Sequence, residues 1–286
     1  MLSLLESQIH VVLDDLSNEQ SIEFTKEDIA EAVKQFEAAL VKQTTPREPE
    51  FRLRMSNVGR LSCQLQMEQS GAPKERMPYN HWMRMVIGDC VEILTRMVLE
   101  KSKVEVSSDG DDVVLRVDKT NIKGSSDIDL KVDGVEKVFD IKSCSDWAYK
   151  NKWPAGFQGM FKDDAFGYVG QLYGYADAQD KEAGGWVVIN KSSGEVSVVD
   201  VDATKDQEKY IRSNRRNVVD MIVNKHPFYR CMDLEEETFY KRLTGSKILN
   251  RTCTMCSFKK SCWPEAKFKK CENSKAAKPP MKWYVE

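Results

Sequence analysis

The chain of 286 residues has no run of about 18 apolar residues, so nothing in it reads as a membrane-spanning helix. Its opening, MLSLLESQIHVVLDDL, carries acids where a secretory signal needs a basic stretch before an apolar one. The expectation is a cytoplasmic protein, intracellular, with no membrane partner. Histidine is scarce: His10, His81 and His226 show no ligand spacing, which excludes a histidine-built zinc motif. Repeats and low-complexity segments are absent too. A net charge of -2 excludes a uniformly basic coat for nucleic acid.

The average hides a gradient. Residues 1–50 hold eleven acids against four bases, and residues 251–286 nine bases against three acids. The acidic end suits a protein partner and the basic end a polyanion, although charge runs are also ordinary solvated faces. Eight cysteines without signs of secretion point to reduced thiols, so their spacing matters more than their number. Cys90, Cys144, Cys231 and Cys271 fit no ligand pattern and are read as small buried residues.

Residues 1–45 are expected to be helical. Thr25 precedes KED in a capping-box arrangement, with Ile29, Val33, Phe36 and Leu40 at helical spacing after it. TTPREPE, residues 44–50, is expected to be a linker. A helix over 81–101 follows, then strands over 113–117, 127–132 and 137–143, the last two joined by a turn at Asp133 and Gly134. A helix over 163–179, a hairpin over GWVVINKSSGEVSVVDV and a helix over 205–225 complete the pattern. The order predicts an α/β fold with a central mixed sheet flanked by helices.

Within GSSDIDLKVDGVEKVFDIKS, alternation along a strand puts Asp127 and Asp129 on one side, and Asp140 and Lys142 together on one side. A hairpin sets these carboxylates side by side, where repulsion raises their pKa values unless a cation lies between them. Hard oxygen ligands suit magnesium or manganese. A lysine there offsets charge that develops during phosphodiester hydrolysis. The plain alternative is the exposed face of a ribbon, since an isolated Asp-x-Lys is common by chance.

Company distinguishes the two. Gly88-x-x-x-Glu92 lies on the upstream helix, Gly124-x-x-Asp127 leads one strand, Asp140-Ile141-Lys142 closes the next, and Gln171-x-x-x-Tyr175 follows on a helix. These residues resemble the PD-(D/E)XK nuclease superfamily, specifically its RecB-like exonuclease branch, over roughly residues 56–265. The resemblance implies a restriction-endonuclease-like core over 51–250, between an N-terminal helical arm (1–50) and a cysteine-rich segment with a basic tail (251–286). It also implies metal ligands at Asp127, Asp140 and the Ile141 carbonyl, a catalytic Lys142, and Gln171 and Tyr175 touching DNA or orienting the site. Glu92 stands where many relatives carry histidine, and remains a competent oxygen ligand. Asp129 competes with Asp127 as ligand; the glycine spacing favours Asp127.

Cys253, Cys256 and Cys262 form C-x2-C-x5-C, one thiolate short of a site. Cys63, ahead of the core, gives a split resembling the iron-sulfur members of the same branch, including AddB-type and CRISPR-associated exonucleases. That resemblance implies a structural [4Fe-4S] cluster, with structural zinc as the rival that spacing alone leaves open. Among the aromatics, Trp147 and Trp153 are singled out as DNA-contacting residues because GFQGMFKDD reads as a loop beside the candidate site. The remaining aromatics, and the basic face of Arg212, Arg215 and Arg216, also fit a core and a solvated helix.

The expected function is a magnesium- or manganese-dependent deoxyribonuclease, an exonuclease on single-stranded DNA or duplex ends, serving recombination, repair or phage DNA processing. A DNA-binding or assembly subunit that keeps the fold as a scaffold is the alternative. A zinc-ribbon regulator would leave residues 124–175 unexplained.

Overall fold

In a computed structural model, residues 4–18, 22–46, 50–108 and 110–286 are described. The expected linker at 44–50 falls partly on 47–49, outside them. From the N-terminus the chain forms helices α1 (Leu4–Ser17), α2 (Lys26–Thr44), α3 (Met55–Val58), α4 (Ser62–Gln69) and α5 (His81–Lys101). Strands β1 (Glu105–Ser108), β2 (Asp112–Val117), β3 (Thr120–Ser125), β4 (Ile128–Val132) and β5 (Val135–Cys144) follow. Next come α6 (Asp146–Asn151), α7 (Gly156–Lys162), α8 (Tyr168–Gln179), β6 (Glu182–Asn190), β7 (Val196–Asp200) and α9 (Lys205–Val223). The last elements are β8 (Leu234–Phe239), β9 (Arg242–Leu249), α10 (Arg251–Met255), α11 (Lys259–Cys262), β10 (Lys267–Lys270) and β11 (Met281–Val285).

Two compact units divide these elements: Met1–Gly59 with Pro78–Arg216, and Arg60–Met77 with Asn217–Glu286. The division departs from the expected boundary after residue 250, since β8 and β9 share a sheet with β10 and β11. Nor is residues 1–50 a detached arm. Leu5 and Ile9 of α1 are buried in the same core as the strands, and the Glu6 carboxylate accepts the Val198 N–H of β7 at 3.0 Å.

The first unit is an α/β fold around a mixed sheet of order β1-β4-β5-β6-β7. Only the β5–β6 pair is parallel; the other neighbours run antiparallel. Strand alternation sorts the side chains. Ile128, Leu130, Phe139 and Ile141 join Leu5, Ile9, Leu99, Val187 and Ile189 in one core. Each such side chain contributes about 1.5–3 kcal/mol when fully buried. The opposite face holds Val138, Asp140, Trp186 and Val188, all buried, and receives Phe157 against Trp186. Asp133 and Gly134, both at positive φ, close the β4–β5 hairpin at the expected turn.

Two expectations need correction. Residues 113–117 are a strand, but β2 pairs with β3 in a separate ribbon, and β1 takes the place beside β4. GFQGMFK is α7 and not a loop: Phe157 and Met160, three residues apart, are both buried. The next helix starts at Tyr168, later than expected. Gly167 ahead of it is left-handed, and the Asp164 carboxylate accepts the Tyr168 and Val169 N–H groups at 2.9 and 2.8 Å.

The second unit carries an antiparallel sheet of order β10-β11-β9-β8. Glu237 on β8 is 1% exposed, and its carboxylate accepts hydrogen bonds from Tyr284, Lys282 and Thr244 at 2.7, 2.9 and 2.8 Å. It ties β8, β9 and β11 together.

Candidate active site

Asp127 stands directly before β4, and the pairing of Ile128 with Phe139 sets it beside Asp140 on β5. Lys142 lies two residues on, on the same face. Its ammonium is 2.5 Å from Asp140 Oδ2 and 4.0 Å from Asp127 Oδ2, and 5.3 Å from the centre of the Tyr168 ring. The Ile141 N–H donates to Asp127 Oδ2 at 2.8 Å. The residue expected to offer a carbonyl thus uses its amide to hold the first carboxylate against the strand of the second.

Asp140 is fully buried, and neither of its oxygens has a hydrogen-bond donor in good geometry despite the nearby ammonium. Burial pushes its carboxyl well above the usual range; Lys142 opposes the shift and Asp127 adds to it. Burial pulls on the Lys142 ammonium in the opposite sense, but Asp140 and Asp127 outweigh it and hold the lysine charged. The Lys142 ammonium takes up Oδ2 while Oδ1 is left without a donor, a cost that a further cation would remove. By that observation the donor set Asp127, Asp140 and Glu92 fits a hard divalent ion.

Glu92 faces the cluster from α5. Burial, with Asp127 adding to it, pushes its carboxyl up to about 7 against the pull of Arg96. Arg96, one turn along, is ion-paired to Glu92 and donates from Nε to the Asp127 carbonyl at 3.0 Å. Arg96 therefore fastens both the helix carboxylate and the backbone that carries Asp127. The sequence held the signal, a glutamate and an arginine four residues apart, yet only the fold shows what that arginine reaches.

Gln171 donates to the Tyr175 hydroxyl at 3.1 Å, and Tyr175 is buried. Burial, with the charges of Asp127 and Asp140 adding, pushes the Tyr175 phenol up. Gly124 explains why its strand approaches so closely. A Cβ there would lie 2.4 Å from Met55 Cβ and 2.9 Å from Tyr175 Cε1. Gly88 has no such constraint.

Three sequence expectations fare differently. Asp129 is on the predicted face, but two residues along β4, about 7 Å from Asp127 by strand rise. Lys181 pairs with its carboxylate at 2.7 Å and Gln179 approaches at 3.5 Å, so Asp129 is not part of the cluster. Trp153 is 4% exposed, packed against Trp186 and Tyr168, and cannot stack on a base. Trp147 on α6 is 55% exposed.

In the second unit Cys63, Cys253, Cys256 and Cys262 are half-buried neighbours, and a fifth sulfur, Cys231, lies with them. The Cys231 Sγ accepts the Cys63 N–H at 3.1 Å and is 3.3 Å from Ser62 Oγ. The Cys63 thiol donates to it, which holds Cys231 down to about 6 and pushes Cys63 up. Cys256 Sγ accepts the Phe258 N–H at 3.4 Å. Half-buried sulfurs receiving backbone N–H groups suit a soft metal centre. Cys231 escaped the sequence reading because it belongs to no short spacing pattern.

Among the described residues, no three His, Cys, Asp or Glu side chains stand together at distances that would hold a metal ion. A metal at either candidate site would need side chains to turn onto it. No described helix is long and apolar enough to cross a membrane.

No protein-family model and no curated protein matches the sequence. Among solved structures, the chain is similar to one titled "Crystal structure of SSO0001", with a TM-score of 0.41 and 15% identity over 79% of this chain and 91% of that one. A likeness of that size carries no argument about chemistry.

Proposed function

We propose that the chain is a metal-dependent nuclease that hydrolyses phosphodiester bonds in DNA, acting on single strands or duplex ends. The observation that carries the reading is the fully buried Asp140 carboxylate, ion-paired to Lys142 through Oδ2 and set beside Asp127. Asp127 and Asp140 would hold magnesium or manganese, with Glu92 once it leaves Arg96. A bound divalent ion supplies an activated water and steadies the leaving oxygen. Lys142 offsets the negative charge that grows on the phosphate. The Ile141 amide and Arg96 hold Asp127 in place, and the Gln171–Tyr175 pair lines the same neighbourhood. An intracellular location is part of the same proposal.

A polyanionic substrate is supported by a groove of about 590 Å³ with Gly124 in its lining. Arg52, Arg54 and Lys123 line it, with Asp112 as the opposing charge. Bases along such a groove position a phosphate backbone without reading its sequence. The cysteines of the second unit are assigned a structural metal centre, [4Fe-4S] or zinc, with Cys63 as the fourth ligand in the expectation from spacing.

The test is digestion of end-labelled single-stranded and duplex DNA with magnesium or manganese. Metal-dependent cleavage that is lost in Lys142→Ala supports the assignment. Undiminished cleavage by that variant rejects it. Substrates blocked at the 5′ or the 3′ end then separate exonuclease polarity from endonuclease action.

A further inference from the structure

Tyr284 on β11 is buried and bonds Glu237, so it belongs to the inner face of the second unit's sheet. Strand alternation sends its neighbour Trp283 out by the other face. Directly opposite Trp283 on β10 is Phe268, with the two ring centroids 5.1 Å apart. β10 is the edge strand, and Phe268 is 52% exposed. One row along the same face Met281 stands opposite Lys270, and both are exposed. Apolar side chains grouped in water on a sheet edge mark an interaction site rather than a core.

The charges around the rings select the partner. The ammonium groups of Lys259 and Lys260 on α11 lie 5.6 and 5.9 Å from the centre of the Trp283 ring. Glu75 pairs with both, yet the Lys260 side chain keeps 66% of its surface in water. The two strands, KFKK and MKWYV, contain no acid. Glu286, just beyond them, pairs with Lys267 and Lys269, which alternate with Phe268 onto the other face. The aromatic face therefore offers flat rings with cations beside them and no acid from either strand. That combination suits unpaired bases, which stack on the rings while their phosphates meet the ammonium groups. In a duplex the base faces are already covered by their neighbours, and only the lysines would be used.

We propose that the Phe268–Trp283 face of the second unit binds single-stranded DNA, with the rings stacking on bases and Lys260 and Lys270 meeting the flanking phosphates. The choice of DNA rests on the nuclease reading. The stacking platform itself does not.

The experiment follows binding of fluorescein-labelled oligo(dT) to the full chain by anisotropy, with a chelator present so that nothing is cleaved. Phe268→Ala is expected to weaken binding by about 5- to 150-fold, the loss of one stacked base. Lys260→Ala should lower the slope of log affinity against log salt by about 0.7. A blunt duplex of the same length should respond to Lys260→Ala and not to Phe268→Ala. Ultraviolet crosslinking of oligo(dT) to the unmutated chain, read by mass spectrometry, should mark Phe268 or Trp283, and decides the matter even if a variant fails to fold. Unchanged affinity in Phe268→Ala, crosslinks confined to residues outside β10 and β11, preference for oligo(U), or a concentration-dependent dimer that Phe268→Ala abolishes each overturns the assignment. Failure of the nuclease reading is seen separately, as absence of metal-dependent cleavage while the chelated chain still binds oligo(dT). Phe268→Ala should in turn leave metal-dependent hydrolysis of bis(p-nitrophenyl) phosphate, which has no base to stack, at the unmutated rate.

Discussion

The Lys142 ammonium lies 2.5 Å from Asp140 Oδ2, on a strand where the carboxylate is wholly buried. Removing one partner of a buried pair strands the other. Lys142→Ala is therefore expected to lose about 3–5 kcal/mol of stability along with cleavage. Replacing both, as Asp140→Asn with Lys142→Met, should recover much of the stability and none of the activity. Urea unfolding and a cleavage assay on the same preparations check this; activity returning with stability would show that the lysine serves folding alone.

Asp127 and Asp129 differ by two positions and by their partners. Asp127→Asn is expected to abolish metal-dependent cleavage. Asp129→Asn weakens the Lys181 pair, costing about 1–3 kcal/mol of stability, and leaves cleavage per folded molecule unchanged. Manganese binding measured by calorimetry should follow the same split.

Glu92 adds a pH signature. Its folded carboxyl sits at about 7, above an ordinary value of 4.5. The folded chain thus binds more protons than the unfolded chain between those values, so this contribution favours folding most below 4.5 and is lost as pH rises through 7. With a chelator present, the urea midpoint should fall between pH 5 and pH 8 more steeply in the unmutated chain than in Glu92→Gln. Equal slopes would remove Glu92 as the source.

Glu237 has the opposite sign. Burial pushes its carboxyl up, but Tyr284, Lys282, Thr244 and Cys271 outweigh it and bring it down to about 2, from an ordinary 4.5. Its stabilising contribution is full above 4.5 and disappears as pH falls toward 2. Acid titration of unfolding should show this loss in the unmutated chain, and Glu237→Gln should flatten it.

The acidic cluster with its lysine was legible because strand alternation and the Asp133–Gly134 turn are local rules, and they place Asp127, Asp140 and Lys142 together without long-range knowledge. They also put Asp129 on the right face. What they could not show is Lys181, some fifty residues away, which takes Asp129 out of the cluster. Trp153 looked accessible because its neighbours read as a loop, whereas Trp153 and Phe157 of α7 both pack on the buried Trp186. Cys231 and Arg96 were missed for one reason: their partners come from elements distant in the chain, or from backbone atoms that no residue pattern encodes. The sheet of the second unit was equally hidden, since EEETFYKRLTGSK is too polar to show a buried face.

β5 is antiparallel to β4 and parallel to β6, so local opening must break two ladders of unlike geometry at once. Asp140 and Lys142 thus ride on a strand paired along both edges. Deuterium should enter the amides flanking Asp140 late, after the surrounding helices have exchanged. Loops bordering the groove can then be shortened or exchanged while the spacing of carboxylate and ammonium stays as the sheet sets it.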